Sequence, residues 1–455
     1  MTRLFPAFDP SRRHAALATA LLILAILLGG GGTPSPLPEL WLELLAALAM
    51  LAWLWLPGPI RLPADPALWI VAGLALAVPA IQLVPLPPDV WQALPGREAQ
   101  AAALALVGEK DSWRPLSMSP PRTLASLLSF IPPLTLMLMA GALQRHERHR
   151  LLGAILAMAV ASAVIGAFQL NAGGQAFRFY ASSHATLVGF QANRNATADV
   201  LLIGLLALAA FAAGKRSPRE PHGAAAKGRD GWWQIGLALL LTLACVLTAS
   251  RTGVALILPA AIAAWAILAL DPRKKWNRAL PALAAGALAI VAAGLFLLGR
   301  NTVLQRVAGR FDTIAGDGRE GLWRDTLYAI GQYWPFGSGT GTFVPTFIAL
   351  EPLEAVDMGM PNRAHNDYLE LALEAGVFGI AALAAIALLI LFMAIRSWRR
   401  ERDGRVQIAF GLAALAIIAA HSLVDYPLRS MSLACLAAVA VAMLAKPPRS
   451  PEDRA

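Results

Sequence analysis

The chain has 455 residues, of which 57% are hydrophobic and 15% charged, and its mean hydropathy is +0.59. Soluble domains carry about 25% charged residues, so these values exclude a soluble globular protein. The net charge of +10 would suit a nucleic-acid-binding protein, but the distribution of the basic residues along the chain indicates membrane topology instead.

About twelve apolar runs are long enough to cross the hydrocarbon layer as helices, which takes roughly 17–25 residues. The first follows Arg12, Arg13 and His14 and lacks a small-residue cleavage site, so we expect a retained span rather than a removed signal peptide. In chain order the runs lie near 15–32, 40–56, 67–85, 123–142, 151–170, 195–214, 232–249, 252–270, 279–299, 366–395, 407–421 and 429–445. The predicted fold class is an all-α polytopic membrane protein.

The basic residues follow the positive-inside rule. If the amino terminus lies in the cytoplasm and the runs alternate in direction, about two thirds of the 38 Lys and Arg residues fall in cytoplasmic segments. The others lie mostly in the two longest outward loops, to which the rule gives least weight. We therefore expect both termini in the cytoplasm, membrane lipids as the surroundings, and no nucleic-acid partner.

One membrane domain with a large inserted periplasmic loop is the predicted organisation. Helices one to nine would occupy 1–299, the loop 300–365, helices ten to twelve 366–446, and a cytoplasmic tail 447–455. Connections longer than about 12–15 residues are usually functional or disordered, and the many aromatic residues of 300–365 argue against disorder.

Within this loop the pattern predicts an amphipathic helix lying on the membrane surface. It would begin at Gly318 behind a capping Asp317 and end before Pro335. Its apolar side would comprise Leu322, Trp323, Thr326, Leu327, Ile330 and Trp334. The glycine-rich stretch 337–342 that follows has no strand before it, which favours a tight turn against the membrane domain over a phosphate-binding loop.

Charged and polar residues gather at the outward ends of the runs rather than in their middles, where transporters usually carry them. Arg251 separates two apolar runs within 250–253. It is either an ordinary helix-end arginine or an anion clamp, since guanidinium binds phosphate oxygens bidentately. Arg319 and Arg324 offer a second clamp.

His365 stands at the start of a long helix, in the stretch 364–370 and close to Arg363. The helix dipole and that cation disfavour imidazolium, and a neutral imidazole can accept a proton. Spacing alone leaves a general base and a hydrogen-bonded cap histidine equally open. Asp367 need not face His365, because residues two apart diverge on a helix, and His421 is expected to be structural.

No metal-binding box or nucleotide fingerprint is visible on the outward side, and Cys245 and Cys435 both lie in predicted spans. We therefore expect no metal and no cofactor. An outward enzyme lacks ATP and nucleotide sugars, so its donor must already be activated and membrane-bound. Arginines awaiting an anionic leaving group match a polyprenyl-diphosphate-linked sugar.

Six segments together resemble the bacterial O-antigen ligase and O-antigen polymerase superfamily. They are GFQANRN (189–195), SRTG (250–253), GREGLWRD (318–325), WPFGSGTGTF (334–343), AHNDYLE (364–370) and HSLVDYPLR (421–429). The resemblance implies a metal-independent, inverting glycosyltransferase of GT-C-like helical architecture in the bacterial inner membrane, with a periplasmic active site. Such enzymes transfer glycan from undecaprenyl diphosphate to a lipid A core, a growing repeat unit or a protein.

By this resemblance Arg251 and Arg319, with Arg324 nearby, match the arginines that hold the diphosphate, and His365 matches the histidine that activates the acceptor hydroxyl. Ala196 stands where many relatives have His or a bulky residue, which leaves the local acceptor contacts open. Supporting positions in the recurrent motifs are Asn193, Arg194, Asp367, His421, Asp425 and Arg429.

A ligase is the leading interpretation and a repeat-unit polymerase of the same superfamily is the first alternative. A lipid-linked oligosaccharide flippase or carrier would require titratable groups at mid-membrane or repeat symmetry between halves, and neither is visible. A non-catalytic scaffold for polysaccharide assembly is the third possibility. The sequence leaves open the sugar, the acceptor, the oligomeric state and the role of the first 120 residues.

Overall fold

The protein is an all-helical polytopic membrane protein, as its composition predicts. The computed structural model describes residues 10–32, 36–56, 60–172, 176–177, 179–180, 186–214, 232–270, 319–352, 354, 356 and 361–448. Within these ranges seven helices have the length and apolar composition needed to cross a membrane, and four further apolar helices are shorter. The predicted run 279–299 and the predicted cap Asp317 lie outside the described residues.

The helices follow the predicted runs closely. The amino-terminal half contains α1 (Pro10–Leu28), α2 (Pro36–Trp55), α3 (Pro66–Gln82), α4 (Pro88–Gln92), α5 (Glu98–Leu106), α6 (Pro120–Leu128), α7 (Ile131–Ala142) and α8 (Arg145–Asn171). After it come α9 (Arg194–Ala213), α10 (Trp232–Leu247), α11 (Arg251–Ala269), α12 (Arg319–Tyr333), α13 (Phe343–Leu350), α14 (Asp367–Arg400), α15 (Arg405–His421) and α16 (Met431–Leu444). Short 3-10 turns cover Arg402–Gly404 and Pro427–Arg429.

A small antiparallel ribbon lies in the segment between α3 and α6. Its strands are β1 (Pro85–Leu86) and β2 (Arg114–Pro115), with Pro85 opposite Pro115. The indole of Trp91 in α4 is buried and donates to the Ser112 carbonyl at 3.0 Å. The segment 86–122, predicted to be more than a connector, is thus folded, and the ribbon joins its two ends.

Helix α9 is the centre of the membrane domain. It packs against α8, α10, α11 and α15. In an apolar 18-residue stretch of α9, 89% of the residues are buried, compared with 17% in the corresponding stretch of α14. The contact with α11 is close enough that a Cβ added at Gly253 would lie 2.4 Å from the Cβ of Ala198. The first turns of α9 and α11 therefore lie side by side, which places the Asn193 and Arg251 motifs at the same end of the bundle.

Helix α14 is interrupted by Gly376, whose φ of +55° is left-handed. The chain around Pro335 crosses at this point, and the Val377 amide donates to the Pro335 carbonyl at 2.9 Å. A Cβ at Gly376 would lie 2.0 Å from the same carbonyl oxygen, so only glycine allows the crossing. These contacts join the segment 319–350 to α14.

The predicted amphipathic helix is present as α12, and it ends before Pro335 as expected. The predicted apolar side is only partly the packed side. Thr326, Ala329 and Tyr333 are buried, whereas Leu327 is 56% exposed. Relative to the prediction, α12 is rotated about its own axis because it packs on α14 and α13.

Candidate active site

His365 occupies a strained backbone position immediately before α14. Its φ is +50°, a region that non-glycine residues rarely adopt. Two contacts hold the segment. The Asn366 side chain caps α14 by accepting from the amides of Tyr368 (3.0 Å) and Leu369 (3.1 Å), and the Trp323 indole donates to the Ala364 carbonyl at 3.0 Å. Such strain costs on the order of 1–3 kcal/mol and persists only where the surroundings over-determine it.

The imidazole of His365 is paired with Asp425, sixty residues later in the chain. His365 Nδ1 lies 2.9 Å from Asp425 Oδ1, and the Tyr426 ring packs edge-on against the imidazole at 4.9 Å between centroids. With Nδ1 donating to the carboxylate, Nε2 is the nitrogen left to accept a proton. The His365 side chain is 30% exposed and that of Asp425 is 3% exposed, so the basic edge can reach a substrate while its partner is enclosed.

Two asparagines hold the other oxygen of Asp425. Its Oδ2 accepts from Asn195 Nδ2 at 2.7 Å and from Asn193 Nδ2 at 3.3 Å. Burial alone would raise the pKa of the Asp425 carboxyl, but the hydrogen bond and charge of His365, the charge of His421 and the Asn195 amide together lower the pKa below its ordinary value. Asp425 is therefore a carboxylate at any physiological pH. Asn366 rather than His365 caps α14, and the imidazole of His365 is oriented by Asp425; the general-base role of His365 stays a prediction.

Beneath this pair lies a second His–carboxylate contact that the sequence did not predict. His421 Nδ1 lies 2.7 Å from Asp199 Oδ1, and both side chains are buried. Asp199 lies in the second turn of α9, near the start of its apolar run, and the sequence patterns did not single it out. Its distance of four residues from Asn195, on the same face of α9, was the available signal.

Asp367 supports the backbone around the site without contacting His365, as its spacing indicated. Its carboxylate accepts from Ser422 Oγ at 2.9 Å and from the Leu428 amide at 3.3 Å, and its own amide donates to the Ser422 carbonyl. The start of α14 is thus tied to the turn that carries Asp425.

A network of two buried glutamates and two partly buried arginines stabilises the same region. Glu370 accepts from Arg363 at 2.8 Å and also lies 3.1 Å from Arg429. Arg429 donates to Glu374 at 2.7 Å, and both glutamates are 0% exposed. Since removal of one member of a buried ion pair typically costs about 3–5 kcal/mol, Arg429 belongs to the supporting structure of the site.

The glycine-rich stretch is a tight turn against the membrane domain. The amides of Ser338 and Gly339 donate to the Leu373 and Glu374 carbonyls at 3.0 and 2.8 Å, and the Thr340 amide donates to Gln82 Oε1 at 2.8 Å. Because these amides already donate within the protein, the turn holds the segment 319–350 in place and does not offer these amides to a phosphate.

Two of the helices at this end begin with an arginine, Arg194 in α9 and Arg251 in α11, and Arg319 is the first residue of α12 that the structure describes. A cation near a helix N-terminus is unfavourable by about 0.3–1 kcal/mol, whereas the same position favours a bound anion. Arg319 lies within electrostatic range of His421. Ala249, just before the Arg251 motif, is also left-handed with a φ of +55°.

Arg324 is separated from these arginines. It follows Arg319 by five residues, which turns it about 140° around the helix. Its side chain is 83% exposed and its nearest carboxylate is the neighbouring Asp325, at 3.7 Å. Arg324 therefore points away from the side of α12 that carries Arg319, and the phosphate-binding role of all three arginines stays a prediction. Among the described residues, no three His, Cys, Asp or Glu side chains are arranged to hold a metal ion.

Residues 236–384 match the family model described as O-antigen ligase. This match supports the O-antigen ligase and polymerase superfamily as the family that the chain resembles. The matched segment includes Arg251, Arg319 and His365 and stops before Asp425. Members of this superfamily are glycosyltransferase-like ligases and polymerases, which use lipid-linked glycans and acceptors as substrates. No protein of curated function matches the chain.

Proposed function

We propose that this protein is a glycan ligase that moves a glycan from undecaprenyl diphosphate to an acceptor hydroxyl, such as one on a lipid A core. The observation that carries the proposal is the His365–Asp425 pair, in which an enclosed carboxylate orients a partly exposed imidazole. A general base must lie within hydrogen-bond reach of the proton that it abstracts, and Nε2 of His365 is the atom available for that contact.

In the proposed step the acceptor oxygen attacks the anomeric carbon from the face opposite the diphosphate. The new carbon–oxygen bond forms as the bond to the leaving oxygen breaks, with inversion, and the electron pair of that bond stays on the diphosphate. Nε2 of His365 takes the hydroxyl proton, and Asp425 stabilises the resulting imidazolium. Arg251 and Arg319 bind the diphosphate and stabilise its developing negative charge. No metal or cofactor takes part in this step.

We further infer the membrane arrangement that this chemistry requires. The chain would have about twelve spans in a GT-C-like architecture in the inner membrane, with both termini cytoplasmic and the site in the periplasm. The position of the Arg194, Arg251, His365 and Asp425 motifs at one end of the bundle supports a single outward site. A bilayer-resident donor would reach that end directly from the membrane.

Glycan transfer by the purified protein in lipid vesicles tests the proposal. We expect the wild-type protein to transfer glycan from undecaprenyl diphosphate to the acceptor, and His365→Ala to reduce the rate at least about 100-fold, since general base catalysis contributes 10²–10⁴-fold. His146→Ala is the matched control, because His146 is exposed at the amino-terminal end of α8. This variant should retain full activity. Unchanged transfer by His365→Ala would remove it from the mechanism.

The glycan phenotype of a deletion strain separates the alternatives. A ligase predicts loss of long chains from the lipid A core while lipid-linked polymer accumulates. If single repeat units remain on the carrier or the core, the protein is a polymerase. If donor lipid fails to cross the membrane in the deletion strain, the flippase alternative is correct, and normal glycan output from a strain carrying the histidine and arginine substitutions would indicate a scaffold.

A further inference from the structure

Two contacts, one turn apart, join α9 to the end of α15. Asn195 and Asp199 are four residues apart on α9, and His421 and Asp425 are four residues apart at the end of α15. Asn195 donates to Asp425 at 2.7 Å, and Asp199 bonds His421 at 2.7 Å. The Asn195–Asp425 contact supports His365 directly, whereas the Asp199–His421 contact lies deeper and touches no part of the proposed reaction.

Side-chain exposure falls steadily along this series. It is 30% for His365, 3% for Asp425, 1% for His421 and 0% for Asp199. A buried ion pair is seldom more stabilising than apolar residues of the same volume. His421 Nε2 and Asp199 Oδ2 are also buried and find no hydrogen-bond partner among the described residues, which is a further cost. Stability therefore does not account for this pair, and an ionisable residue inside a membrane span points to function.

The backbone connects the deep pair to Asp425. The His421 carbonyl accepts from the Asp425 amide at 2.9 Å and from the Val424 amide at 3.0 Å. A shift of the His421 backbone, which its side-chain contact with Asp199 opposes, therefore moves the turn that carries Asp425. The other groups whose charges act on His421 are Asp425 itself and Arg319 at the start of α12.

We propose that Asp199 and His421 are positioning residues that fix the end of α15, so that Asp425 stays directed at His365 during glycan transfer. The proposal rests on the proposed function, since it assigns Asp199 an effect on the rate only through Asp425. Asp199 anchors His421 through Nδ1, His421 holds the turn through its carbonyl, and the turn presents Asp425 Oδ1 to the imidazole.

A double-mutant cycle between Asp199→Ala and Asp425→Asn tests this chain of contacts. We expect Asp199→Ala to lower the single-turnover transfer rate about 100-fold in the wild-type protein, the size of effect that a misplacement of about 1 Å produces. In the Asp425→Asn background the same substitution should cost no more than about threefold, because residues that act through one another are not additive. The donor KM should remain unchanged.

Asp199→Asn keeps an oxygen within reach of His421 Nδ1 and should retain more of the rate, with a loss of about tenfold. If Asp199→Ala does not fold, the cycle is completed with this variant. Glu147→Gln is the matched control. It removes a carboxylate that is 4% exposed and paired with Arg61 at 2.9 Å near the opposite end of the bundle, and it should leave the rate unchanged in both backgrounds.

The outcomes separate this inference from the proposed function. If Asp199→Ala transfers glycan at the wild-type rate, or if its loss is the same in both backgrounds, Asp199 does not act through Asp425 and the inference is wrong. If the wild-type protein does not transfer glycan, or His365→Ala transfers it normally, the proposed function fails instead. A buried pair with a purely structural role would lower the yield of folded protein equally in both backgrounds without changing the rate per folded molecule.

Discussion

Asp425→Asn is the most direct test of the mechanism, because the substitution keeps the size of the side chain and removes its charge. In the wild-type protein both carboxylate oxygens accept hydrogen bonds, Oδ1 from His365 and Oδ2 from the two asparagines of α9. An amide offers one acceptor oxygen and one donor NH₂. In the variant, therefore, either the α9 contact is lost, or the amide donates to His365 Nδ1 and the imidazole carries its proton on Nε2, where it cannot accept one.

The electrostatic attraction between the Asp425 carboxylate and the His365 imidazolium sets the expected loss of kcat. A carboxylate and an imidazolium whose charge centres are about 4 Å apart attract each other by about 4 kcal/mol at an effective dielectric constant near 20. His365 is 30% exposed, and screening by water reduces this to about 2–3 kcal/mol. Since each 1.36 kcal/mol in the barrier is a factor of ten, kcat should fall by about 30–150-fold.

Initial rates with vesicle-embedded protein at saturating donor measure this loss. The thermal unfolding profile of each variant determines the amount of folded protein. The donor KM should change little, because Asp425 stabilises a charge that develops only in the transition state. Glu147→Gln should behave as the wild type in the same assay. A kcat for Asp425→Asn within about threefold of the wild-type value, far below the loss expected from the electrostatic attraction, would refute the role given to the carboxylate.

Three further predictions follow from the structure. Gly376→Ala should destabilise the protein by about 2–4 kcal/mol, from left-handed strain and overpacking, whereas Gly331→Ala, with nothing within 4 Å of the added Cβ, should be neutral or stabilising in thermal unfolding. Arg251→Lys should lower kcat by about 10–100-fold through loss of bidentate binding, and Arg324→Lys should change it less than about twofold. The pKa of Asp425 is held below its ordinary value, so its contribution to stability is present above the unfolded value near 4 and is lost only as the pH falls through the lower folded value. Unfolding curves should then show that Asp425→Asn still destabilises the protein at pH 5 and that its difference from the wild type shrinks only below about pH 4, and a difference that vanishes by pH 5 would contradict this assignment.

Sequence patterns predicted those parts of the fold that depend on local chemistry. Apolar length located the helices, Pro335 marked the end of α12, and the helix start placed His365 at the mouth of α14. The rotation of α12 was not predictable in the same way, because Leu327 and Thr326 are both compatible with an apolar side and only the packing against α14 decides which is buried.

The partner of His365 was also beyond local reasoning. Asp425 was identified as part of a recurrent motif, but nothing in the sequence pairs it with an imidazole sixty residues earlier. Asp199 was overlooked because a single carboxylate hardly lowers the hydropathy of α9. Its spacing from Asn195, matched by that between His421 and Asp425, becomes informative only when the two helices are known to be in contact.

The pairing of the acidic residues explains how an anion could approach a site that contains so many of them. Glu370 and Glu374 are matched internally by Arg363 and Arg429, and the charge of Asp425 is directed at His365. Arg194 and Arg251 begin α9 and α11 at the same end of the bundle, where the helix dipoles add to their positive potential. In the proposed reaction, the departing diphosphate would meet this positive potential, while the carboxylate of Asp425 acts on the base. That separation lets one compact site favour both a proton acceptor and an anionic leaving group.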